Sequence, residues 1–155
     1  MNTLLNLFFE TARIHQKRIE HSKEQIKQNY PLTPNRASNL EDKIFSHWEV
    51  LISRFAKLQD LLGAKIIPEV LNYIGEGSDR QTYIDRLNKL EKLKIIDSVQ
   101  TWIELKTLRN HLAHEYPNAP GLTAEYLNQA YDKSSILIKA ITDLEMLAAK
   151  RDNLA

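Results

Sequence analysis

LEDKIFSHWEVLISRFAKLQDLL, residues 40–62, carries the clearest periodic pattern in the chain. Apolar side chains recur in it at intervals of three and four residues, which is the repeat of one face of an α-helix. We therefore interpret this stretch as a core helix, around which other helices pack. The apolar positions are Leu40, Ile44, Phe45, Trp48, Leu51, Ile52, Phe55, Leu58, Leu61 and Leu62.

The apolar face continues past this stretch, although Gly63 and Pro68 interrupt the helical pattern. Proline lacks the backbone donor that a helix interior needs, so we expect a kink or a short separate helix here rather than a stop. On the other side, Ser38 followed three residues later by Glu41 has the form of a capping box and predicts the start of the core helix.

Similar periodicity predicts further helices before and after the core helix. Together they predict an all-α fold, an antiparallel helical bundle of four main helices plus a short or kinked extra helix, in a single domain over residues 1–155. Polar residues predict where the other helices start. These candidate caps are Asn2 or Thr3, Ser78 or Asp79, Asp97 or Ser98, and Thr123.

Composition excludes several classes of protein. The chain has 43% hydrophobic and 26% charged residues and a formal net charge of +1, which indicates a globular protein without strong overall attraction to nucleic acid. It has no cysteine, so disulfides, thiolate metal sites and cysteine nucleophiles are excluded. We expect a cytoplasmic protein, because no signal peptide and no run of about 20 apolar residues is evident.

The segment 108–117, LRNHLAHEYP, gathers polar residues at the end of a helical pattern. Its candidate site residues are Arg109, Asn110, His114 and Tyr116. A guanidinium fits a phosphate, and an imidazole exchanges a proton near neutral pH. Acting together, they could cut a phosphodiester that has a neighbouring 2′-hydroxyl, which is present in RNA and absent from DNA.

Spacing places these groups near a helix end. Arg109 and His114 are about 140° apart on an ideal helix, whereas Asn110 and His114 share a stripe. Pro117 disfavours helical backbone at Tyr116, so the helix is expected to end near His114 or Glu115.

The string Arg109-Asn110-x3-His114-x-Tyr116 resembles the Arg-x4-His-x-Tyr signature of the HEPN superfamily, and of its HepT-like toxin branch in particular. The resemblance implies a small all-helical homodimer that acts as a metal-independent ribonuclease. It also implies a partner, a minimal nucleotidyltransferase antitoxin of the MntA type, which silences the toxin by transferring AMP to the motif tyrosine, Tyr116. It implies no cofactor and no metal.

Three functions stay open at this point. The first is a HEPN-type endoribonuclease toxin in which Arg109 stabilises the phosphate, Asn110 orients groups, His114 transfers protons and Tyr116 accepts AMP. The second is a catalytically inactive HEPN-like dimer that serves the nucleotidyltransferase as substrate or scaffold. The third is a helical interaction protein without a link to nucleotides.

Other charged and metal-ligating residues have simpler interpretations. His111 and His114 are three residues apart, but no carboxylate at helical spacing completes a zinc site, so we do not expect a metal. His15 and His21 are interpreted as solvated surface residues, and His47 as structural. A further set of cations forms either a solvated helix face or a basic rim that guides RNA to the cleft. These are Arg80, Arg86, Lys89, Lys92 and Lys94.

Overall fold

The computed structural model describes residues 1–114 and 120–154, and this part of the chain is all-helical, without a strand, as predicted. The helices, numbered in chain order, are α1 (Thr3–Ile26), α2 (Pro34–Ser38), α3 (Asp42–Leu61), α4 (Ile67–Tyr73), α5 (Tyr83–Lys92), α6 (Val99–Leu112) and α7 (Pro120–Leu154).

Helix α3 lies at the centre of the fold and packs against α1, α6 and α7. Trp48, Leu51, Phe55 and Leu58 are almost completely buried in the core, so the periodic stretch is a core helix as predicted. Because α3 packs against α6, the side chains on the surface of α3 have fixed positions relative to those on α6.

The predicted start of α3 is wrong. Ser38 ends α2, where its hydroxyl donates to the Pro34 carbonyl at 3.2 Å, and α3 begins after Glu41 without a side-chain cap. The reason is local, since Thr33 accepts from the Arg36 N–H and Pro34 occupies the first turn, which together favour a separate short helix.

Between α3 and α4 the chain makes a π-helical turn over Leu62–Ile66. The predicted irregularity is therefore confirmed, and α4 continues directly with Pro68 in its first turn. Gly63 is buried in the π turn, where an added Cβ would lie 3.2 Å from Cε2 of Tyr83. Glycine at this position thus leaves room for the tyrosine ring.

Two of the predicted helix starts are confirmed. The side chain of Asn2 caps α1, and that of Ser98 caps α6 by accepting from the Thr101 N–H at 3.2 Å. In each case the side-chain oxygen accepts a hydrogen bond from a backbone N–H of the first helical turn that has no partner within the helix. This is the usual capping geometry.

The other two predicted starts are wrong. Thr82 caps α5 through a capping box with Asp85, because Ser78 instead accepts from the Arg80 N–H within the preceding turn. Helix α7 starts at Pro120, so Thr123 lies inside it. Proline suits the first helical position, where its missing N–H costs nothing.

His15 is buried, with 8% of its surface exposed, and is not the solvated residue predicted from the sequence. Its Nδ1 lies 3.2 Å from Nη1 of Arg54. Since a guanidinium only donates hydrogen bonds, Nδ1 is the acceptor and the ring is neutral. Burial, followed by the charges of Arg54 and Lys57, lowers the pKa of His15 below its usual 6.5.

This lowered pKa predicts loss of stability on mild acidification. As pH falls through about 6.5, the unfolded chain binds a proton that folded His15 takes up only at lower pH, so the free energy of unfolding decreases. We expect His15→Gln to lose less stability than the unaltered protein between about pH 7.5 and 5.5. Each unit by which the two pKa values differ corresponds to about 1.4 kcal/mol.

Urea unfolding across this pH range measures the effect. His21→Gln replaces an exposed histidine on the same helix and serves as the matched control. Equal pH dependence of the His15→Gln and His21→Gln proteins would contradict the assignment of the effect to His15.

Candidate functional site

Helix α6 carries the motif segment at its C-terminal end. Trp102, Leu105 and Leu108 bury one face of the helix, and Arg109 follows at the edge of that face, half-buried. The helix ends at Leu112, two or three residues before the predicted end near His114 or Glu115.

The chain turns directly after α6. The Ala113 N–H donates to the Asn110 carbonyl at 3.3 Å and the His114 N–H donates to the His111 carbonyl at 3.1 Å. Asn110 and His114 are both exposed. Tyr116, the predicted site of adenylylation, lies outside the described residues.

The guanidinium of Arg109 forms a bidentate ion pair with Asp60 on α3. Its Nε lies 2.9 Å from Oδ1 and its Nη2 lies 2.8 Å from Oδ2. Hydrogen bonding to this carboxylate raises the pKa of Arg109 above its already high usual value. The arginine is thus held in the geometry that it would also use towards a phosphate, with Asp60 as its present acceptor.

This pair is accessible to solvent, with the side chains of Arg109 and Asp60 29% and 51% exposed. We therefore expect Asp60→Asn to lower the free energy of unfolding by only about 0.5–1 kcal/mol. Chemical denaturation of Asp60→Asn, Arg109→Gln and the double variant measures the pair directly. The double variant should be close to either single variant, and fully additive losses would show that the two residues act separately.

His111 and His114 border a cavity of about 490 Å³ between α3, α6 and α7. The His111 ring stacks on Tyr126, with ring centroids 4.6 Å apart and planes inclined by 7°. The cavity is of the size and character of small-ligand sites, with apolar walls and a few polar groups. The other lining residues are Ala37, Ser38, Leu40, Phe45, Trp48, Glu49, Ile52, Ser53, Leu112, Pro120, Thr123 and Leu127.

Arg109 does not line this cavity within the single chain. Its partner Asp60 follows Ser53 by seven residues on α3, which places the two about 10 Å apart along the helix. His114 therefore lines the cavity, whereas the Arg109 guanidinium lies outside it on Asp60, about two turns of α3 beyond Ser53.

A second, basic surface lies on α1 and α3, and sequence analysis missed it. We define the α1–α3 groove as a depression of about 680 Å³ lined by Arg18, His21, Ser22, Ser46, His47, Glu49, Val50, Ser53, Arg54 and Lys57. Its signal in the sequence is the recurrence of His and Arg on one face of each helix, which is visible only once the two helices are known to pair.

The basic residues singled out in the sequence on and around α5 do not line the cavity beside His114. Among them, Lys89 is paired with Glu76 at 3.0 Å. Among the described residues, no group of three or more His, Asp or Glu side chains is placed to hold a metal ion.

Comparison of the chain with family models, with curated proteins and with solved structures finds no match. No helix in residues 1–114 and 120–154 contains an apolar stretch long enough to cross a membrane.

Proposed function

We propose that this protein is a metal-independent endoribonuclease toxin of the HEPN type, similar to HepT. The observation that carries the proposal is the placement of the Arg-x4-His segment. Helix α6 ends inside it and leaves His114 exposed at the mouth of a cavity, with Arg109 at the protein surface just before the helix end.

In the proposed reaction the RNA 2′-hydroxyl attacks the adjacent phosphorus and the 5′-oxygen of the next nucleotide leaves. His114 transfers protons between these oxygens. Arg109 binds the phosphate oxygens, where negative charge accumulates, and Asn110 orients the substrate. Because Arg109 pairs with Asp60 in the free protein, the phosphate has to compete with this carboxylate for the guanidinium.

We further propose that the protein acts as a homodimer, in which a second copy completes the site. Exposed apolar side chains at helical spacing on α1 support this, since Leu4, Leu7 and Ile14 are 46–55% exposed and share one side of the helix. The HEPN resemblance implies a two-fold axis that brings two copies of the motif segment across one cleft. The α1 patch would extend the interface towards the other end of α7, where Arg13 donates to Thr142. The second copy would add its own Arg109 and His114 to the site.

The proposed partner is an MntA-like nucleotidyltransferase antitoxin, which would silence the enzyme by adenylylation of Tyr116. The test begins with purified protein and a labelled single-stranded RNA in the presence of EDTA. Cleavage by the free protein, and loss of cleavage after incubation with the nucleotidyltransferase and ATP, is the expected result. Mass spectrometry should then find added AMP on Tyr116.

The Asp60–Arg109 pair favours one alternative, a catalytically inactive dimer that serves as substrate or scaffold of the nucleotidyltransferase. The Nε and Nη2 atoms of Arg109 both donate to the carboxylate of Asp60, as in an ion pair with a structural role. AMP on Tyr116 without RNA cleavage by the unmodified protein would establish this alternative.

A further inference from the structure

The α1–α3 groove is suited to an anionic ligand because its charged residues are mostly cations. Arg18, Arg54 and Lys57 carry positive charge at neutral pH, and Glu49 is its single carboxylate. Arg54 uses one donor on the buried His15, and its side chain makes no other hydrogen bond to the described residues. The remaining guanidinium donors are thus left for a ligand.

A buried hydroxyl without a partner gives an independent indication of a ligand. Ser22 lines the groove, is 1% exposed, and its Oγ makes no hydrogen bond within the described residues. Burial of such a group without a partner is unfavourable. The oxygen is covered in the free protein, and after a small shift of the side chains above it a phosphate oxygen would accept the hydrogen bond that the hydroxyl lacks.

The groove also continues into the cavity beside His114. Glu49 and Ser53 on α3 line both depressions, so the two share a common edge. From Ser46 to Lys57 the groove follows α3 for about 16 Å. Its length and its open end suit a strand that bears several phosphates better than a single ion.

We propose that the α1–α3 groove binds the phosphate backbone of single-stranded RNA and directs the strand to the cavity beside His114. This inference rests on the proposed ribonuclease function and adds the path of the substrate. On this path Arg18, Arg54 and Lys57 bind phosphates, and Ser22 donates a hydrogen bond to one of those phosphates. The cavity beside His114 accommodates an unstacked base.

Fluorescence anisotropy with a labelled RNA oligonucleotide tests the groove. The titrations use the His114→Ala protein as background, so that the RNA stays intact. Arg18→Gln with Lys57→Gln should weaken binding about tenfold at low salt and reduce the slope of log K against log salt by about 1.4, which is 0.7 for each lost phosphate contact. Arg80→Gln with Lys92→Gln removes the same charge from the α5 region and should change binding less than about twofold.

Ser22→Ala provides a second, milder variant. It removes a hydroxyl that has no partner among residues 1–114 and 120–154, so thermal unfolding should occur at the same or a higher temperature, while RNA affinity falls several-fold. Equal losses for the two charge pairs would overturn the proposal, as would failure of the unaltered groove to bind RNA. Tight binding of ATP with no RNA binding would also overturn it and indicate a nucleotide site.

The two proposals fail in different ways. If the groove substitutions do not weaken RNA binding but cleavage still depends on His114, the proposed substrate path is wrong and the ribonuclease assignment stands. RNA binding in the groove without any cleavage would remove the ribonuclease assignment and leave the groove as an RNA-binding surface only.

Discussion

Replacement of Arg109 or His114 by alanine is expected to lower RNA cleavage by about 100-fold or more. Loss of a general acid–base group lowers the reaction rate by a factor of about 10²–10⁴. Loss of a hydrogen-bond donor that stabilises the negative charge of the transition state lowers it by a similar factor. Both side chains are at least partly exposed, so their removal should leave the fold intact. Initial rates on a labelled RNA in EDTA give the result, together with growth of cells that express each variant.

The matched control for this experiment is His111→Ala. His111 lies three residues before His114 and lines the same cavity, but its ring stacks on Tyr126. We expect a smaller effect, mainly on KM, because this residue is not assigned a proton transfer. Cleavage by an Arg109→Ala, His114→Ala double variant at the rate of the unaltered protein would refute the catalytic assignment.

Phe55→Ala is expected to cost about 3–5 kcal/mol of folding free energy. Phe55 is fully buried on α3, in the part of the core where this helix packs against its neighbours. A truncated ring there leaves a cavity that rigid surrounding helices cannot fill. For a chain of this size the loss corresponds to a fall in Tm of about 6–20 °C, measured by circular dichroism.

Phe45→Ala is the control on the same helix. Phe45 is 49% exposed and borders the cavity beside His114. Its replacement should cost less than about 1 kcal/mol, since little apolar surface is lost from the core. Comparable losses for both phenylalanines would show that α3 does not occupy the central position assigned to it.

Periodicity predicted the all-helical fold because burial of an apolar stripe leaves a repeat in the sequence. The stripe from Trp48 to Leu58 is buried as predicted. Helix starts were predicted less well, since several residues at each boundary have suitable side chains. Ser78 and Thr82 both qualify as caps, and only the path of the loop decides that Thr82 is used.

The candidate site shows what a linear pattern leaves out. The motif placed Arg109 and His114 at the end of α6, but nothing in the sequence pairs Arg109 with Asp60, which lies 49 positions away. His15 was misjudged for the same reason, because its burial depends on the packing of α3 against α1. Contacts of this kind arise from tertiary packing and have no local signature.

The π-helical turn at Leu62–Ile66 has a consequence for sequence comparison. A wide turn takes up one residue more than an α-helical turn. Without it, Ile67 and Leu71 would be rotated by about 100° from the buried stripe of α3. An uninterrupted helix in a distant homologue would therefore align with this region only across a one-residue gap, and an ungapped alignment would match buried positions to solvent-facing ones.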